Sequence, residues 1–266
     1  MELFAKERQD IIYEMILKNN AVTVANLVEK FAVSIETVRR DLLEMEKQGL
    51  LTRVHGGAVA KTGMSGFAAL SQRNNEHGNQ KKELSLKACE FINEGDIIAV
   101  DAGSTATFFA EALKEKFTKL TVITHSLDVF NILNSYKDFS VILCGGYLMK
   151  EENTFYGSLT VNMYSTLYAQ KAFIFTSAVS LEHGICDFRQ EFYDVQKVMI
   201  GCADEIFVLA DSSKFEKKAL LKLTDMKNEY IYITDNDLPN ELKELYKENS
   251  IKIYTGGENP NGKVKQ

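Results

Sequence analysis

The sequence predicts a small N-terminal domain of helices and a β-hairpin, followed by a larger α/β domain with a largely parallel sheet. Up to about residue 58, three short helical patterns precede two strand-like runs around a glycine turn. Beyond residue 80, continuous apolar runs alternate with helical stretches, which is typical of parallel sheets covered by helices. We therefore assign residues 1–60 to the first domain, 61–80 to a linker rich in glycine, serine and asparagine, and 81–266 to the second.

The composition excludes several classes of protein. The chain has 266 residues, of which 45% are apolar and 26% charged, as in ordinary globular proteins. No apolar run approaches the ~20 residues that span a bilayer, and no apolar segment follows a basic N-terminus. The four cysteines form no CxxC pair, and the histidines show no metal-ligand spacing. We expect a cytoplasmic protein with reduced thiols, no membrane association and no metal.

The distribution of charge limits how the chain can bind nucleic acid. The net charge is −6, and residues 1–60 carry eight Lys and Arg against nine Asp and Glu. The protein has no general positive field, so DNA binding would depend on a few placed cations.

The N-terminal patterns have the order of a winged helix-turn-helix domain. The first helix is expected over Phe4–Asn19, and Thr23 and Ser34 are suitable N-caps for the second and third helices. The third helix ends near Gln48, and a short strand pair then forms the wing. Helical spacing predicts that four residues of the third helix face the core, namely Ile35, Val38, Leu42 and Met45.

The opposite face of the third helix carries candidate DNA contacts. Thr37 and Arg40 are placed to reach base edges in a major groove, because a recognition helix presents its exposed N-terminal half there. Phosphate contacts are expected from the other polar residues of this face and of the wing, namely Ser34, Arg39 and Arg53. The alternative explanation is that these arginines only solvate the helix and pair with Glu36, Asp41 or Glu44.

The stretch that contains these residues resembles the signature of the DeoR family of bacterial transcription regulators. Residues 33–58 read VSIETVRRDLLEMEKQGLLTRVHGGA. The signature has a VS-x-x-T-[IV]-RRDL helix, an acidic spacer, G-x-L-x-R and a closing HGGA wing, all of which are matched. The resemblance implies sequence-specific binding of double-stranded operator DNA, with His55, Gly56 and Gly57 completing the wing.

In the second domain, three predicted strands end in residues suited to binding an anion. Strands are expected at residues 96–101, 120–124, 140–144, 172–179, 206–210, 230–234 and 251–254. The first three strand ends carry Asp101, Gly103, Ser104 and Thr105, then Thr124, His125 and Ser126, then Gly145 and Gly146. Hydroxyls, glycines and a helix N-terminus at the carboxyl edge of a parallel sheet favour phosphate binding, although a plain capping turn gives the same local pattern.

Charged residues farther along the chain are candidates to complete this site. Lysines are suited to phosphate, and carboxylates to sugar hydroxyls; the candidates are Asp187, Glu191, Lys197, Asp211 and Lys214. Exposed, salt-bridged helix charges are the alternative explanation. In their order along the chain, these motifs look like the effector domain of the DeoR family. That resemblance implies a fold similar to ribose-5-phosphate isomerase and a phosphorylated sugar as effector, with His125 standing where the family commonly has asparagine.

Three functions are compatible with these observations. The favoured one is a transcription regulator, a repressor of a sugar-metabolism operon, whose homo-oligomer binds operator DNA with an affinity set by a phosphorylated sugar. A second is a sugar-phosphate isomerase or lyase, because such enzymes need a base beside a bound carbonyl. A third is a constitutive DNA-binding protein. The family resemblance favours the first, and it implies no catalytic residue and no cofactor.

Overall fold

The computed structural model of the protein describes residues 5–19, 21–47, 50–54, 56–60 and 70–256. Its contacts divide the described chain into two compact units, one ending at Gln72 and the other beginning at Arg73. Each unit has its own hydrophobic core.

The N-terminal unit is a three-helix domain with a small antiparallel sheet. Its elements are α1 (Ala5–Asn19), β1 (Ala21–Thr23), α2 (Val24–Phe31), α3 (Ile35–Lys47), β2 (Leu51–Val54) and β3 (Gly57–Ala60). The sheet has the strand order β1-β3-β2. This arrangement confirms the winged helix, to which β1 adds a third strand that the sequence analysis missed.

Local capping explains where α2 and α3 begin. The Thr23 hydroxyl accepts a hydrogen bond from the Asn26 amide (3.2 Å), and the Ser34 hydroxyl accepts one from the Thr37 amide (3.1 Å). Each cap satisfies one of the amides left unpaired at a helix N-terminus. Ala32 lies between the helices in the left-handed conformation, with φ of 52°.

The buried face of α3 differs from the prediction at one position. Val38, Leu42 and Met45 lie in the core, with Ile12 and Ile16 of α1. Ile35, however, has 51% of its surface exposed. It is the first residue of α3, so it lies beyond the core although its angular position on the helix is correct.

A buried ion pair joins α1 to α3. Arg8 Nε lies 2.5 Å from Asp41 Oδ2, and Arg8 Nη2 lies 3.1 Å from Asp41 Oδ1, while both residues are buried. The hydrogen bonds from Arg8 satisfy a carboxylate that has left water, and the contact with Asp41 raises the pKa of the guanidinium further. Asp41 therefore stabilises this unit and does not pair with Arg39 or Arg40.

The boundary between the units falls within helix α4 (Leu70–Asn75), and helix α5 (Gly78–Cys89) follows it. The elements that follow are β4 (Ile97–Val100), α6 (Ser104–Lys116), β5 (Thr121–Thr124), α7 (Leu127–Leu133), β6 (Ser140–Leu143), β7 (Tyr147–Met149), β8 (Thr154–Tyr156) and α8 (Ser158–Ser165). The remainder consists of β9 (Ala169–Phe175), β10 (Ala178–Ser180), β11 (Gly184–Asp187), α9 (Gln190–Gly201), β12 (Ala203–Leu209), β13 (Leu221–Thr224), β14 (Ile231–Ile233), α10 (Asn240–Glu248) and β15 (Ile253–Tyr254).

A seven-stranded parallel sheet forms the centre of this unit, in the order β15-β14-β12-β9-β4-β5-β6. After β4 the chain adds β5 and β6 on one side, whereas β9, β12, β14 and β15 lie on the other. The direction of winding therefore changes between β4 and β9. In open α/β sheets, ligands bind at such a point, outside the carboxyl ends of the strands.

Helices cover both faces of the sheet. One core contains Leu84 of α5 and Phe109 of α6, packed against Phe173 of β9. The other contains Val195 of α9 and Tyr246 of α10, together with alternate strand residues such as Ile174. Because successive strand residues face opposite sides, a strand buried on both faces appears in the sequence as a continuous apolar run.

The structure differs from the sequence prediction in several segments, and strands β7, β8, β11 and β13 were not predicted. The predicted strand 172–179 is two strands, because the chain turns at 176–177 and β10 then joins an antiparallel sheet with β11 and β13. The expected linker is helical over Leu70–Asn75 and again from Gly78. Helix α5 was missed because Lys81, Ser85 and Lys87 are buried with its apolar residues, which breaks the polar and apolar alternation.

All four cysteines are free thiols, and three of them are buried. Burial raises the pKa of Cys89 and Cys144 to about 12, which leaves both thiols protonated and unreactive. In the described part of the chain, no helix is long and apolar enough to cross a membrane.

We expect Asp41→Ala to destabilise the N-terminal unit by about 3–5 kcal/mol, because it leaves the buried Arg8 charge without its partner. Hydrogen exchange of the α3 amides in the intact protein measures this opening free energy. The control is Glu36→Ala, which removes an exposed carboxylate 3.9 Å from Arg39 and should cost less than about 1 kcal/mol. Equal protection of α3 in the two variants would contradict the role given to Asp41.

Candidate functional site

Helix α3 presents a polar face to solvent. Arg39 and Arg40 are exposed and Thr37 is half-exposed, opposite the buried Val38 and Leu42. Arg39 lies 3.9 Å from Glu36, whereas the Arg40 side chain makes no ion pair with any residue that the structure describes. The Ser34 hydroxyl caps α3 and lies 2.9 Å from the Thr37 hydroxyl. The polar side chains of this face can therefore form hydrogen bonds with a ligand while the contacts of the core stay unchanged.

The wing carries Arg53 on β2, where Glu46 of α3 holds it. Arg53 Nε lies 3.0 Å from Glu46 Oε2, and the Arg53 amide donates to Glu46 Oε1 (2.8 Å). The hydrogen bond from the Arg53 amide is the main cause that lowers the pKa of Glu46. Arg53 remains 41% exposed, so its direction is fixed while part of the guanidinium faces solvent. His55 lies outside the described residues.

The two glycines of the wing differ in environment. Gly56 is exposed, with φ of +82°, a conformation that glycine adopts without strain. Gly57 is buried where β3 pairs with β1, and a Cβ there would lie 2.1 Å from the Val22 carbonyl oxygen. Packing of the sheet therefore explains why position 57 requires glycine.

At the carboxyl edge of the parallel sheet, Asp101 joins the strands on either side of the switch point. Its Oδ2 accepts hydrogen bonds from the Phe175 amide (3.0 Å) and from Gln196 Nε2 (2.9 Å), and its Oδ1 accepts one from the Ala102 amide (2.7 Å). Gln196 Nε2 also lies 3.4 Å from Asp187 Oδ2. Burial raises the pKa of Asp101 to about 7 and also raises the pKa of Asp187.

His125 faces Asp101 from the end of β5. Its Nε2 lies 3.6 Å from Asp101 Oδ1, and its Nδ1 lies 3.2 Å from the Tyr164 hydroxyl. Burial lowers the pKa of His125 to about 3, so the imidazole is neutral. If the Tyr164 hydroxyl donates to Nδ1, the proton of the neutral ring is on Nε2, which has no hydrogen-bond partner among the described residues.

The first turn of α6 lies beside this cluster. Gly103 precedes the helix with φ of +109°, and Ser104 and Thr105 follow it, both buried. A Cβ on Gly103 would lie 3.6 Å from Nη1 of Arg73, so this guanidinium lies over the turn. A helix N-terminus beside an arginine combines unpaired amides with a positive charge, both of which favour an anion.

Two lysines extend the positive region along the same edge. Lys81 of α5 is buried and donates to the carbonyl oxygens of Arg73 and Glu76, the latter at 2.7 Å. Burial, together with the nearby Lys214 and Arg73, lowers the pKa of Lys81 to about 8, against the opposing effect of Asp211. Lys214 Nζ lies 3.7 Å from Asp211 Oδ2, just after β12. Burial would raise the pKa of Asp211, but the charge of Lys214 and the hydrogen bond from Ser213 are the main causes that outweigh burial and lower it.

Four buried polar atoms of this region have no hydrogen-bond partner among the described residues. They are Thr105 Oγ1, His125 Nε2, Gln196 Oε1 and Glu152 Oε1. Buried polar groups are nearly always paired with protein, water or a ligand, so these four atoms are candidates for contacts with polar ligand atoms.

Other predicted residues lie nearby with different roles. Thr124 Oγ1 accepts from the Ser126 amide (3.1 Å), and the Ser126 hydroxyl caps α7 (3.3 Å from the Val129 amide). Gly145 has open space around its Cα, whereas a Cβ on Gly146 would lie 2.2 Å from Thr160 Oγ1, so packing against α8 accounts for that glycine.

Lys197 and Glu191 are not among the residues that contact Asp101. Lys197 Nζ donates to the Leu223 carbonyl oxygen on β13 (3.0 Å), and Glu191 is half-buried in the first turn of α9. Since neighbouring helix residues are 100° apart and Gln196 faces Asp101, Lys197 must point in another direction.

Sequence reasoning missed several residues that the structure brings to this edge, namely Arg73, Lys81, Glu152, Arg189 and Gln196. None of them left a clear signal: Lys81 stands at helical spacing with Leu84 and Ala88, but its sequence pattern does not distinguish a buried lysine from an exposed one. In the described part of the chain, no His, Cys, Asp and Glu cluster is suited to a metal ion.

Comparison with known protein families assigns both units. A model of the DeoR-like helix-turn-helix domain matches residues 8–63, and one of the DeoR C-terminal sensor domain matches residues 76–236.

Similar proteins extend along nearly the whole chain. The lactose phosphotransferase system repressor of Streptococcus mutans is 32% identical and spans 92% of this chain and 98% of its own. The HTH-type transcriptional repressor GlcR of Bacillus subtilis is 30% identical, spanning 90% and 91%, and the L-fucose operon activator of Haemophilus influenzae is 27% identical, spanning 92% and 97%. Among solved structures, ribose 5-phosphate isomerase A from Neisseria gonorrhoeae aligns with 51% of this chain and 52% of its own, at 21% identity and a TM-score of 0.37.

We expect His125 to make the stability of the protein fall at acid pH. The pKa of His125 is about 3 in the folded chain and 6.5 ordinarily. Between pH 3 and pH 6.5, the unfolded chain therefore binds a proton at His125 that the folded chain does not bind. Stability is therefore lost as pH falls from about 6.5 towards 3. Chemical unfolding at pH 7.5 and 5.0 should show that the wild type loses stability relative to His125→Asn.

The control is His183→Asn, which removes a histidine that is 40% exposed. A difference between wild type and His125→Asn that does not change with pH would contradict the buried, neutral state of His125.

Proposed function

Since the chain belongs to the DeoR family of DNA-binding transcription regulators, we propose that it represses a sugar-metabolism operon and that a phosphorylated sugar controls its DNA affinity. Both family models and the named relatives are transcription regulators, which confirms the regulator interpretation over the isomerase or lyase. Two of these relatives are named repressors, one of them of the lactose phosphotransferase system, which supports repression; a third is named an activator of the L-fucose operon.

The observation that carries the proposed effector is a group of three cations, one of which, Arg73, lies over the first turn of α6. Arg73, Lys81 and Lys214 lie close enough that the other two contribute to the lowered pKa of Lys81. Like charges gathered beside a helix N-terminus favour a ligand with more than one negative charge, as a phosphate monoester has at neutral pH. We place the phosphate at Gly103, Ser104 and Thr105, with Arg73 beside it.

The sugar would then lie over the Asp101 cluster. Asp101 has a pKa of about 7, so its carboxyl can donate or accept hydrogen bonds with hydroxyl groups, and Asp187 adds carboxyl oxygens that accept them. His125 Nε2 and Gln196 Oε1 add one group each that is buried and unpaired. A site of this kind selects ligands by their hydroxyl pattern, because an unmatched buried polar group lowers affinity.

The effector would act by changing the spacing of two DNA-binding domains in a homo-oligomer. We keep residues 1–60 as the DNA-binding domain and 81–266 as the effector-binding and oligomerisation domain. Exposed apolar side chains of β7 and α8, such as Tyr147 (64%) and Leu159 (60%), support association of copies. In one state of the oligomer, the spacing of the two DNA-binding domains does not match the spacing of the operator half-sites. An effector that binds this state preferentially weakens operator binding, typically by ~1–3 kcal/mol. A protein that acts on the chromosome in this way would be cytoplasmic.

The experiment that tests this proposal begins with DNA. Sequencing of the fragments that the protein retains from genomic DNA identifies the operator, and thermal shift with a panel of pentose and hexose phosphates identifies the effector. Operator affinity is then measured with and without that sugar phosphate. The proposal expects a weaker complex with the effector present; an unchanged affinity across the panel contradicts effector control, and a tighter complex indicates an activator or a corepressor.

For DNA recognition, we expect Arg40→Ala to weaken operator binding by about 1–3 kcal/mol, because its exposed guanidinium is placed to reach a base edge. The affinity of the same variant for random DNA of equal length should fall much less. The matched variant is Arg39→Ala, on the flank of the same helix, which should weaken both DNAs and make the salt dependence shallower by about one phosphate contact. Mobility shifts at several salt concentrations measure both effects, and identical behaviour of the two variants would remove Arg40 from base readout.

For effector binding, we expect Thr105→Val to weaken sugar-phosphate binding by about 1 kcal/mol while the free protein keeps or gains thermal stability. The reason is that the buried Thr105 hydroxyl has no hydrogen-bond partner among the described residues, so losing it weakens only a state in which a ligand bonds to it. The control is Thr107→Val in the same helix, where the hydroxyl donates to the Ser104 carbonyl (2.9 Å). Calorimetry measures the affinity; equal binding by Thr105→Val and wild type would exclude this hydroxyl from the effector site.

A further inference from the structure

We infer that Glu152 is an internal anion that competes with the effector's phosphate for Arg73. The inference rests on the proposed function and adds a residue that sets how tightly the site binds anions. Glu152 lies between β7 and β8, where its amide donates to the Met149 carbonyl (3.3 Å).

Two hydrogen bonds connect the β7–β8 hairpin, which carries Glu152, to the end of β5. Thr154 Oγ1 and the Phe155 amide both donate to the carbonyl oxygen of His125, at 2.9 Å and 2.8 Å. These bonds bring the β7–β8 loop to the end of β5, next to the residues that surround Asp101.

Glu152 is buried as a charged group between two arginines. Its side chain is only 1% exposed; Oε2 accepts a hydrogen bond from Nη2 of Arg73, and Oε1 lies 3.9 Å from Nη2 of Arg189. Burial raises the pKa of the Glu152 carboxyl, which the two arginines oppose. Oε1 has no hydrogen bond within the described chain. A buried carboxylate is costly to maintain, and here it depends mainly on Arg73.

The same arginine lies at the proposed phosphate position. Nη1 of Arg73 would be 3.6 Å from a Cβ on Gly103, while its Nη2 holds Glu152. A phosphate at the first turn of α6 would place a second anion against this guanidinium. Two anions beside one cation repel each other, so phosphate binding must weaken the contact between Arg73 and Glu152.

This exchange has a consequence for the rest of the chain. Arg73 belongs to α4, and it is the first residue of the C-terminal unit, directly after the last residue of the N-terminal unit. The partner that holds Arg73, either Glu152 or a phosphate, therefore contacts a residue at the covalent junction of the two units.

Glu152→Gln tests the inference, because glutamine has nearly the same shape and lacks the charge. The probe is sulfate, whose charge does not change between pH 6 and 8, with inorganic phosphate as a second probe. Calorimetry on the intact protein should show sulfate binding about tenfold tighter in Glu152→Gln than in wild type, as expected for the loss of one nearby like charge. The control is Glu111→Gln, which removes an exposed carboxylate paired with Lys114 (2.8 Å) and should leave sulfate binding unchanged.

Each outcome has a separate meaning. Equal sulfate affinity in wild type and Glu152→Gln overturns the competition while the proposed phosphate site stands. Weaker binding in the variant also overturns it, because Glu152 would then orient Arg73 for the ligand. Binding of neither sulfate nor phosphate to either protein overturns both the inference and the proposed phosphate site.

A measurement on the wild-type protein covers the case in which Glu152→Gln does not fold. In a sample with carbon-13 in the glutamate side chains, the Glu152 carboxyl signal should shift as sulfate is added, with the midpoint found by calorimetry. A signal that stays constant while sulfate binds overturns the inference.

Discussion

The hydrogen bonds that Asp101 accepts from Ala102, Phe175 and Gln196 hold together the carboxyl ends of β4 and β9 and the helix α9. These strands flank the point at which the direction of winding changes, which is where open α/β sheets form a ligand crevice. Because β4 ends at this point, α6 must begin beside it, with its unpaired amides facing the crevice. The positions of His125 and Asp187 also follow from the same arrangement.

Charge balance is the second constraint on this edge of the sheet. Buried carboxyl groups and buried cations lie in one region, and each is tolerated because an opposite charge or a hydrogen bond lies near it. Asp101 satisfies its oxygens through neutral donors, whereas Glu152 depends on Arg73. A polyanionic ligand that enters such a region must change existing pairs, and a ligand can shift a protein's conformation only through differences of this kind. The proposed link between sugar phosphate and DNA affinity therefore needs no contact between the effector and the DNA-binding domain.

The sequence was most informative for features that depend only on residues close together in the chain. The caps at Thr23 and Ser34, the buried face of α3 and the glycine and hydroxyl residues after β4 could all be predicted from neighbouring residues alone. Strands of the parallel sheet were recognisable because burial on both faces makes them continuously apolar. Ile35 was misjudged because periodicity gives the direction of a side chain and not the extent of the core.

Residues of the site that depend on tertiary structure were not predictable. Arg73 lies in a stretch rich in asparagine and polar residues, and Glu152 lies in a short polar loop directly after Lys150 and Glu151, so neither differs locally from a solvated charge. Lys197 is an equally plausible lysine by sequence, but the rotation of α9 directs it to Leu223. Burial of a charge is decided by what packs over it, and one sequence carries no pattern for that.

The central claim is that the effector site and the DNA-binding domain are coupled, and coupling between two ligands must be reciprocal. The most direct test is the affinity for the sugar phosphate, measured by calorimetry with the free protein and with the protein saturated by operator DNA. We predict that operator DNA weakens sugar-phosphate binding by the same factor by which the sugar phosphate weakens operator binding. Equal affinity for the sugar phosphate with and without operator DNA would contradict the coupling.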